Sequence, residues 1–453
     1  MVSRTGELKA LQNIYESTGN QIVLISGNSR SEKERLIFSF CRDKKYFYYR
    51  GRNASAEEQL TQLKREVEEN YQIKLMKNSY DECFTRIKSG DASKLVVVID
   101  EFQTIVKKDR SFFDSILNLK NKRLYPGPVM IVLMNSSVAW TRQSMDDVLG
   151  TDSAAIDHII ELQEFSFLEV VRAFPEYSVA DAVSVYGIIG GCSAYVTRWN
   201  GKKSIKENVC SLILNPYGPF HGEAEKFISE ELRELSVYDT ILYAMAIGNE
   251  KLNDLYQFTG YSRAKISVYL KNLAAFDVIE KVVSFETGGW DNAKKGIYRI
   301  KNPFIHFWFK FIYGNQSALW SMAPEEFYDT YISEKLNEYL TPYFVKVCTE
   351  YLGLLNRVGQ TPIKILQMGT WIGKEGTIDI IGQDNERECV VGICNWSKEM
   401  LTFDDYQNLL YNMKQARIHA KVTYLFSATA FDERLTELEK EEPTVVLVDM
   451  KEL

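Results

Sequence analysis

The chain has 453 residues, 45% apolar and 25% charged, so it can bury several cores and is not an intrinsically disordered polypeptide. Fifty-four Lys/Arg against 61 Asp/Glu leave a net charge of −7, which excludes a chain-wide basic surface for nucleic acid but not a single basic module. At roughly 150 residues per domain, the length predicts about three domains.

Gln21 to Ser26 is a short apolar run ending at Gly27, and the helical pattern Leu36, Ile37, Phe40 follows. Tyr46 to Tyr49, Leu95 to Ile99 and Val129 to Met134 are three more strand candidates, separated by amphipathic stretches such as Glu57 to Tyr71. Continuous apolar strands alternating with helices predict a buried parallel sheet. Ligands in such sheets sit beyond the carboxyl ends of the strands. The first such end is Gly27-Asn28-Ser29-Arg30-Ser31-Glu32-Lys33-Glu34. A phosphate loop needs Gly-x-x-x-x-Gly-Lys-Ser/Thr, with glycines for backbone approach, a lysine for the phosphate charge and a hydroxyl for Mg²⁺. Gly27 and Lys33 are in register, but Glu32 replaces the second glycine and Glu34 the hydroxyl. Taken alone, this segment reads as a strand-to-helix turn without a ligand.

The next strand ends in Asp100-Glu101, the pair a Walker B strand needs: the aspartate orients Mg²⁺ and the glutamate polarises the attacking water. Asn135, at the end of the following strand, matches a sensor position facing the γ-phosphate. Together, Arg4, Glu7-Leu8, Gly27 to Lys33, Val96 to Gln103, Leu133 to Ser137 and Tyr186 to Gly191 resemble the archaeal-type P-loop ATPase family, related to AAA+ and STAND proteins. The resemblance covers essentially the whole chain. It implies a P-loop ATPase domain over residues 1–160, a helical lid over 161–236, ATP with Mg²⁺ as cofactor, phosphate contacts from Gly27, Lys33 and Asn135, and catalytic roles for Asp100 and Glu101.

Residues 237–315 read as a winged helix-turn-helix. Tyr238 to Ile247, Asn253 to Phe258 and Arg263 to Phe276 are three helical segments, the last capped by Ser262 and burying Ile266, Tyr269, Leu270 and Leu273. Val278 to Phe285 and Lys295 to Ile300 are two strands of a wing. Residues 238–301 hold nine Lys/Arg against seven Asp/Glu, a balance of +2 in an acidic chain. Arg263, Lys265 and Lys271 on the recognition helix, with Lys294 and Lys295 on the wing, are the candidate nucleic-acid contacts. Asn302 to Phe309 resembles the family's Asp-Pro-Phe-x-x-Phe-Trp segment, in which His306 reads as a packed histidine.

Residues 316–453 resemble the PD-(D/E)xK nuclease-like module that accompanies these ATPases, through Met368 to Trp371, Thr377 to Ile380, Gly392 to Trp396 and Tyr424 to Ser427. That chemistry needs carboxylates around a divalent metal and a lysine beside the attacking water. Asp379 is present, but Glu-x-Lys has become Ile393-Cys394-Asn395 and the helix glutamate aligns with Val345. Asp379 is therefore expected to be vestigial. In the ATPase half, two added carboxylates near phosphate cost of order 4 kcal/mol each at ~4 Å and an effective dielectric of ~20. The family's Pro-Leu-Tyr-Gly-Arg aligns with Ala154 to His158, which lacks the arginine.

Seven scattered cysteines without a CxxC pair suit reduced thiols and predict no zinc site. Four histidines without HExxH spacing predict no histidine metal centre. A polar start, Met-Val-Ser-Arg-Thr-Gly-Glu, predicts no signal peptide, and no apolar run approaches the ~20 residues of a membrane span. The expected place is the cytoplasm, with no membrane partner. The whole reads as a multidomain α/β pseudo-enzyme with weak or absent ATP binding, acting as a nucleic-acid- or protein-binding scaffold. Its partner is duplex DNA, another protein or a paralogue. Two alternatives stand beside it: slow ATP hydrolysis through Lys33, Asp100 and Glu101, and a winged-helix DNA-binding regulator.

Overall fold

The computed structural model describes residues 4–88, 90–91, 93–121, 127–285, 296–374 and 376–453. Two compact units form: Met1–Glu164 with Cys192–Ala194, and Phe165–Gly191 with Tyr195–Leu453.

In the first unit, β1 (Gln21–Ser26), β2 (Tyr46–Arg50), β3 (Leu95–Asp100), β4 (Val129–Asn135) and β5 (His158–Glu161) form one sheet in the order β2-β3-β4-β1-β5. All four pairings are parallel. The strands read as unbroken apolar runs because both faces are covered. Ile22, Leu24, Val97, Ile99, Ile131 and Leu133 face one core, and Val23, Ile25, Val96, Val98, Val132 and Met134 face the other. The register sets Ser26 beside Asn135 and Arg50 beside Asp100, so the polar strand ends predicted to carry the site share one edge of the sheet. The short edge strand β5, with His158 and Ile159 exposed, has no such apolar signature and is not apparent in the sequence.

In the second unit, helices over Phe167–Ala173, Val179–Ile189 and Ile205–Val209 each begin with a serine capping box, at Ser166, Ser178 and Ser204. Helices Leu235–Ala246, Leu252–Thr259 and Arg263–Ala275 follow, then the antiparallel pair β6 (Ile279–Val282) and β7 (Ile297–Ile300). Ser262 caps the third helix, accepting from Lys265 N, and Ile266, Leu270 and Leu273 are buried. Strand β6 stops three residues before its predicted end. Ser284 and Phe285 instead bond to the last sheet: Phe285 N donates to Thr370 O at 2.8 Å and Ile372 N to Ser284 Oγ at 2.9 Å. The Ser333–Arg357 helix leads into β8 (Gln367–Ile372), β9 (Thr377–Gln383), β10 (Cys389–Asn395), β11 (Met400–Leu401), β12 (Ala420–Ser427), β13 (Ala430–Phe431) and β14 (Val445–Asp449). Five of these form a mixed sheet, β14-β12-β10-β9-β8, whose β8–β9 and β9–β10 pairs are antiparallel and the others parallel. No described helix is long and apolar enough to cross a membrane.

Candidate functional site

β1 delivers the chain into a tight loop, residues 27–32, that opens the Lys33–Cys41 helix. Gly27 is required by close approach, since a Cβ there would lie 2.6 Å from Ser31 Oγ and 3.2 Å from Leu162 Cβ. Lys33 is buried, and its ammonium donates back to the loop, to Gly27 O at 3.0 Å and Asn28 O at 2.8 Å. Burial lowers its pKa, while the charges of Glu34, Glu101 and Asp100 oppose that shift. Glu32 has φ +55°, the left-handed conformation for which a phosphate loop uses glycine. Its carboxylate accepts from Ser193 Oγ at 2.6 Å and lies 3.6 Å from Arg35 Nη1. The neighbouring Ala194 N donates to Arg30 O at 3.2 Å, so the 192–194 segment is stitched along the loop. Glu34 is the acidic replacement whose charge bears on Lys33 and Asp100.

Asp100 ends β3 fully buried. Oδ1 accepts the Glu101 amide at 2.9 Å, and Oδ2 accepts the Tyr48 hydroxyl at 2.7 Å, with Arg50 Nε 3.5 Å away. Burial raises its pKa, and the Tyr48 bond works against the rise. Glu101, at φ +52°, is held by Ser136 Oγ at 2.7 and 2.5 Å and by Gln103 Nε2 at 2.5 Å, and lies 3.8 Å from Arg50 Nη2. Asn135 is buried, with both amide hydrogens directed within its own turn, to Ser137 O at 3.1 Å and Thr141 Oγ1 at 2.5 Å. Tyr48, Arg50, Gln103 and Ser193 belong to this cluster although sequence reasoning did not select them.

Gly27 and Lys33 fit the phosphates of a nucleotide. Its magnesium ion is less well provided for: a carboxylate, Glu34, stands where a hydroxyl should ligate, and each oxygen of Asp100 already accepts one hydrogen bond, from Tyr48 or the Glu101 amide. Among the described residues, no group of three or more His, Cys, Asp or Glu side chains is placed to hold a metal.

Residues 1–198 match the sequence model of an ATPase domain found predominantly in Archaea. The N-terminal 198 residues are thus similar to the archaeal-type ATPase domain. Residues 308–409 match a second model, that of archaeal and bacterial proteins of unknown function. An uncharacterized protein of Methanocaldococcus jannaschii, MJECL04, is 24% identical over 402 residues, 87% of either chain. Among solved structures, the Walker-type ATPase PABY2304 of Pyrococcus abyssi is 16% identical, with TM-score 0.46, over 68% of this chain and 96% of its own. Aeropyrum pernix ORC2, in ADPNP–ADP complexes, is 12% identical, with TM-score 0.43, over 71% of this chain and 95% of its own.

Beyond the ATPase domain, the structure separates the other candidates. Arg263, Lys265 and Lys271 all lie exposed on the Arg263–Ala275 helix. The Arg263 guanidinium stacks 4.1 Å from the Tyr256 ring centre and donates to Asn253 Oδ1 at 2.9 Å. Lys265 Nζ lies 4.6 Å from the Tyr261 ring centre. Lys294 and Lys295 fall outside the described residues. Asp379 lies in mid-strand on β9, where Oδ2 accepts the Cys394 amide at 2.9 Å; burial raises its pKa. Asn395, which the sequence resemblance aligns with a nuclease lysine, is buried, and its Nδ2 donates to Ser427 Oγ at 3.1 Å and Thr429 Oγ1 at 3.0 Å. His306 packs against Tyr343, with Nδ1 2.8 Å from the hydroxyl, and burial lowers its pKa to about 3.

Proposed function

We propose that the protein is a P-loop pseudo-enzyme, a binding or regulatory scaffold for nucleic acid or protein that does not turn over ATP. The observation that carries this reading is the state of Asp100. A Walker B aspartate works by holding a hydrated Mg²⁺, and here both carboxylate oxygens accept hydrogen bonds from the protein itself. Glu34 supports the same conclusion, because a carboxylate beside Lys33 repels the phosphates that a hydroxyl would help to bind through metal. Purified protein is expected to release no phosphate from ATP above background. Hydrolysis that disappears in Lys33→Ala would overturn the proposal in favour of a slow ATPase using Lys33, Asp100 and Glu101.

A second reading rests on the Arg263–Ala275 helix. In a winged helix this element enters a groove, and its first turn here presents Arg263 and Lys265 on a tyrosine-lined surface. Contacts from such groups go mainly to phosphates, so binding to duplex DNA is expected to be weak and to fall steeply between about 50 and 200 mM salt. Arg263→Glu with Lys265→Glu should abolish it in a fluorescence titration. A flat wild-type titration at low salt favours a protein partner instead.

A further inference from the structure

Tyr48 and Arg50 occupy alternate positions of β2 and therefore project from the same face of the sheet. The parallel register with β3 places Arg50 directly beside Asp100 and Tyr48 two residues earlier beside Val98. Both side chains reach one carboxylate oxygen: the Tyr48 hydroxyl is 2.7 Å from Asp100 Oδ2 and Arg50 Nε is 3.5 Å from it. The other end of the same guanidinium, Nη2, is 3.8 Å from Glu101 Oε1. One cation thus spans the two adjacent carboxylates that a P-loop enzyme presents to its metal and water.

We propose that Arg50 is the resident cation of the Asp100–Glu101 pair, taking the electrostatic role of a divalent metal, and that Tyr48 and Arg50 together make this phosphate loop a metal-free site. The inference rests on the pseudo-enzyme reading for its context but is read out without nucleotide. Charge accounting supports it. Three carboxylates, Glu34, Asp100 and Glu101, share the site with Lys33 and Arg50. Two of the three Lys33 ammonium donors are taken by the Gly27 and Asn28 carbonyls, and its effect on Asp100 is one of charge. Removing Arg50 would take one positive charge from beside Asp100 and Glu101, an imbalance that a divalent cation corrects. Arg50 also opposes the rise in Asp100 pKa that burial produces. The guanidinium is 58% exposed, so it is screened and its effect should be moderate.

The test is Mn²⁺ binding to the full chain, followed by electron paramagnetic resonance in the absence of nucleotide. Wild-type protein should show no Mn²⁺ site that Asp100→Asn removes. Arg50→Gln should acquire one, at least about tenfold tighter than any in wild type, and Arg50→Lys, which keeps the charge, should not. Tyr48→Phe combined with Arg50→Gln should bind tighter still, because it also frees Asp100 Oδ2. Circular dichroism of each variant checks that the fold is retained, and Arg50, being exposed, is unlike a core position in this respect. An Asp100-dependent Mn²⁺ site already present in wild type, with the same affinity in Arg50→Gln, overturns the proposal. So does a folded Arg50→Gln protein that gains no site. ATP hydrolysis by the native chain would instead strike at the pseudo-enzyme reading and leave this measurement to stand by itself.

Discussion

Asp100 and Asp379 make an instructive pair. Each is a carboxylate on a strand of the main sheet of its own unit, at a position where the sequence resemblance leads one to expect the acid of a metal-dependent enzyme, and burial raises the pKa of each. Their surroundings differ. Asp100 keeps a polar neighbourhood of Tyr48, Arg50 and Glu101, with Lys33 and Glu34 in electrostatic reach. Asp379 accepts one backbone amide, and Ile393, Asn395 and Val345 stand where the resemblance leads one to expect charged groups. On the proposed reading, the two acids manage without a metal in different ways: at Asp100 the protein supplies a cation, and at Asp379 the neighbours are neutral and the acid serves as a backbone cap. The first kind should be recoverable by a few substitutions and the second should not.

The largest expected effect tests that asymmetry. Glu32→Gly with Glu34→Thr restores the loop pattern, relieves the left-handed glutamate and removes a repulsion of order 4 kcal/mol. ATP affinity should rise between about tenfold and a thousandfold in a fluorescent-nucleotide titration. Most of the gain should come from Glu34, because Glu32 is turned toward Ser193 and Arg35. The matching graft in the second unit, Ile393→Glu with Asn395→Lys, should yield no Mg²⁺-dependent DNA cleavage. Cleavage by that variant would erase the distinction between the two sites.

Next in size is a pH effect confined to the second unit. Burial holds His306 at about 3, against 6.5 for a free histidine. Between those values the unfolded chain carries a proton that the folded chain lacks, so stability rises with pH across that window. The contribution is complete above pH 6.5 and is lost at about 1.4 kcal/mol per unit as the pH falls toward 3. Urea unfolding at pH 7 and pH 5 measures it, and His306→Asn should flatten the difference. An unchanged slope in that variant assigns the acid sensitivity to other groups.

The smallest effects compare the two acids directly. Tyr48→Phe removes a hydroxyl bonded to a buried carboxylate and should cost about 1–2 kcal/mol. Asp379→Asn retains an oxygen for the Cys394 amide and should cost less than about 1 kcal/mol. Equal costs in denaturant titrations would show that the polar neighbourhood of Asp100 adds nothing to its binding within the fold.

Much of the first unit is legible in the chain. Ile-Val-Leu-Ile before Gly27 and Val-Val-Val-Ile before Asp100 read as strands buried on both faces, and their polar ends mark one edge of a parallel sheet. The reach of Tyr48 and Arg50 to Asp100 is not legible, because it crosses some fifty residues and depends on β2 lying next to β3. An alternating Tyr-x-Arg at the end of an aromatic strand was the available signal, and it has meaning only once the strand order is known. The same limit applies to Ser284 and Phe285, whose strand character was visible but whose partner, β8, was not.

Local chemistry needs no partner to be recognised, and so the sequence by itself determined the apolar strands, the Ser262 cap, the glycine-and-lysine frame of the loop and the absence of its hydroxyl. Each of these depends on residues within a few positions of one another. Direction and pairing belonged to the tertiary structure. Only there is Glu32 turned onto Ser193, Lys33 closed on its own loop carbonyls, and Arg50 set across Asp100 and Glu101. A charged side chain settles where packing leaves it a partner, and that partner is supplied by strand order and register, which no single segment contains.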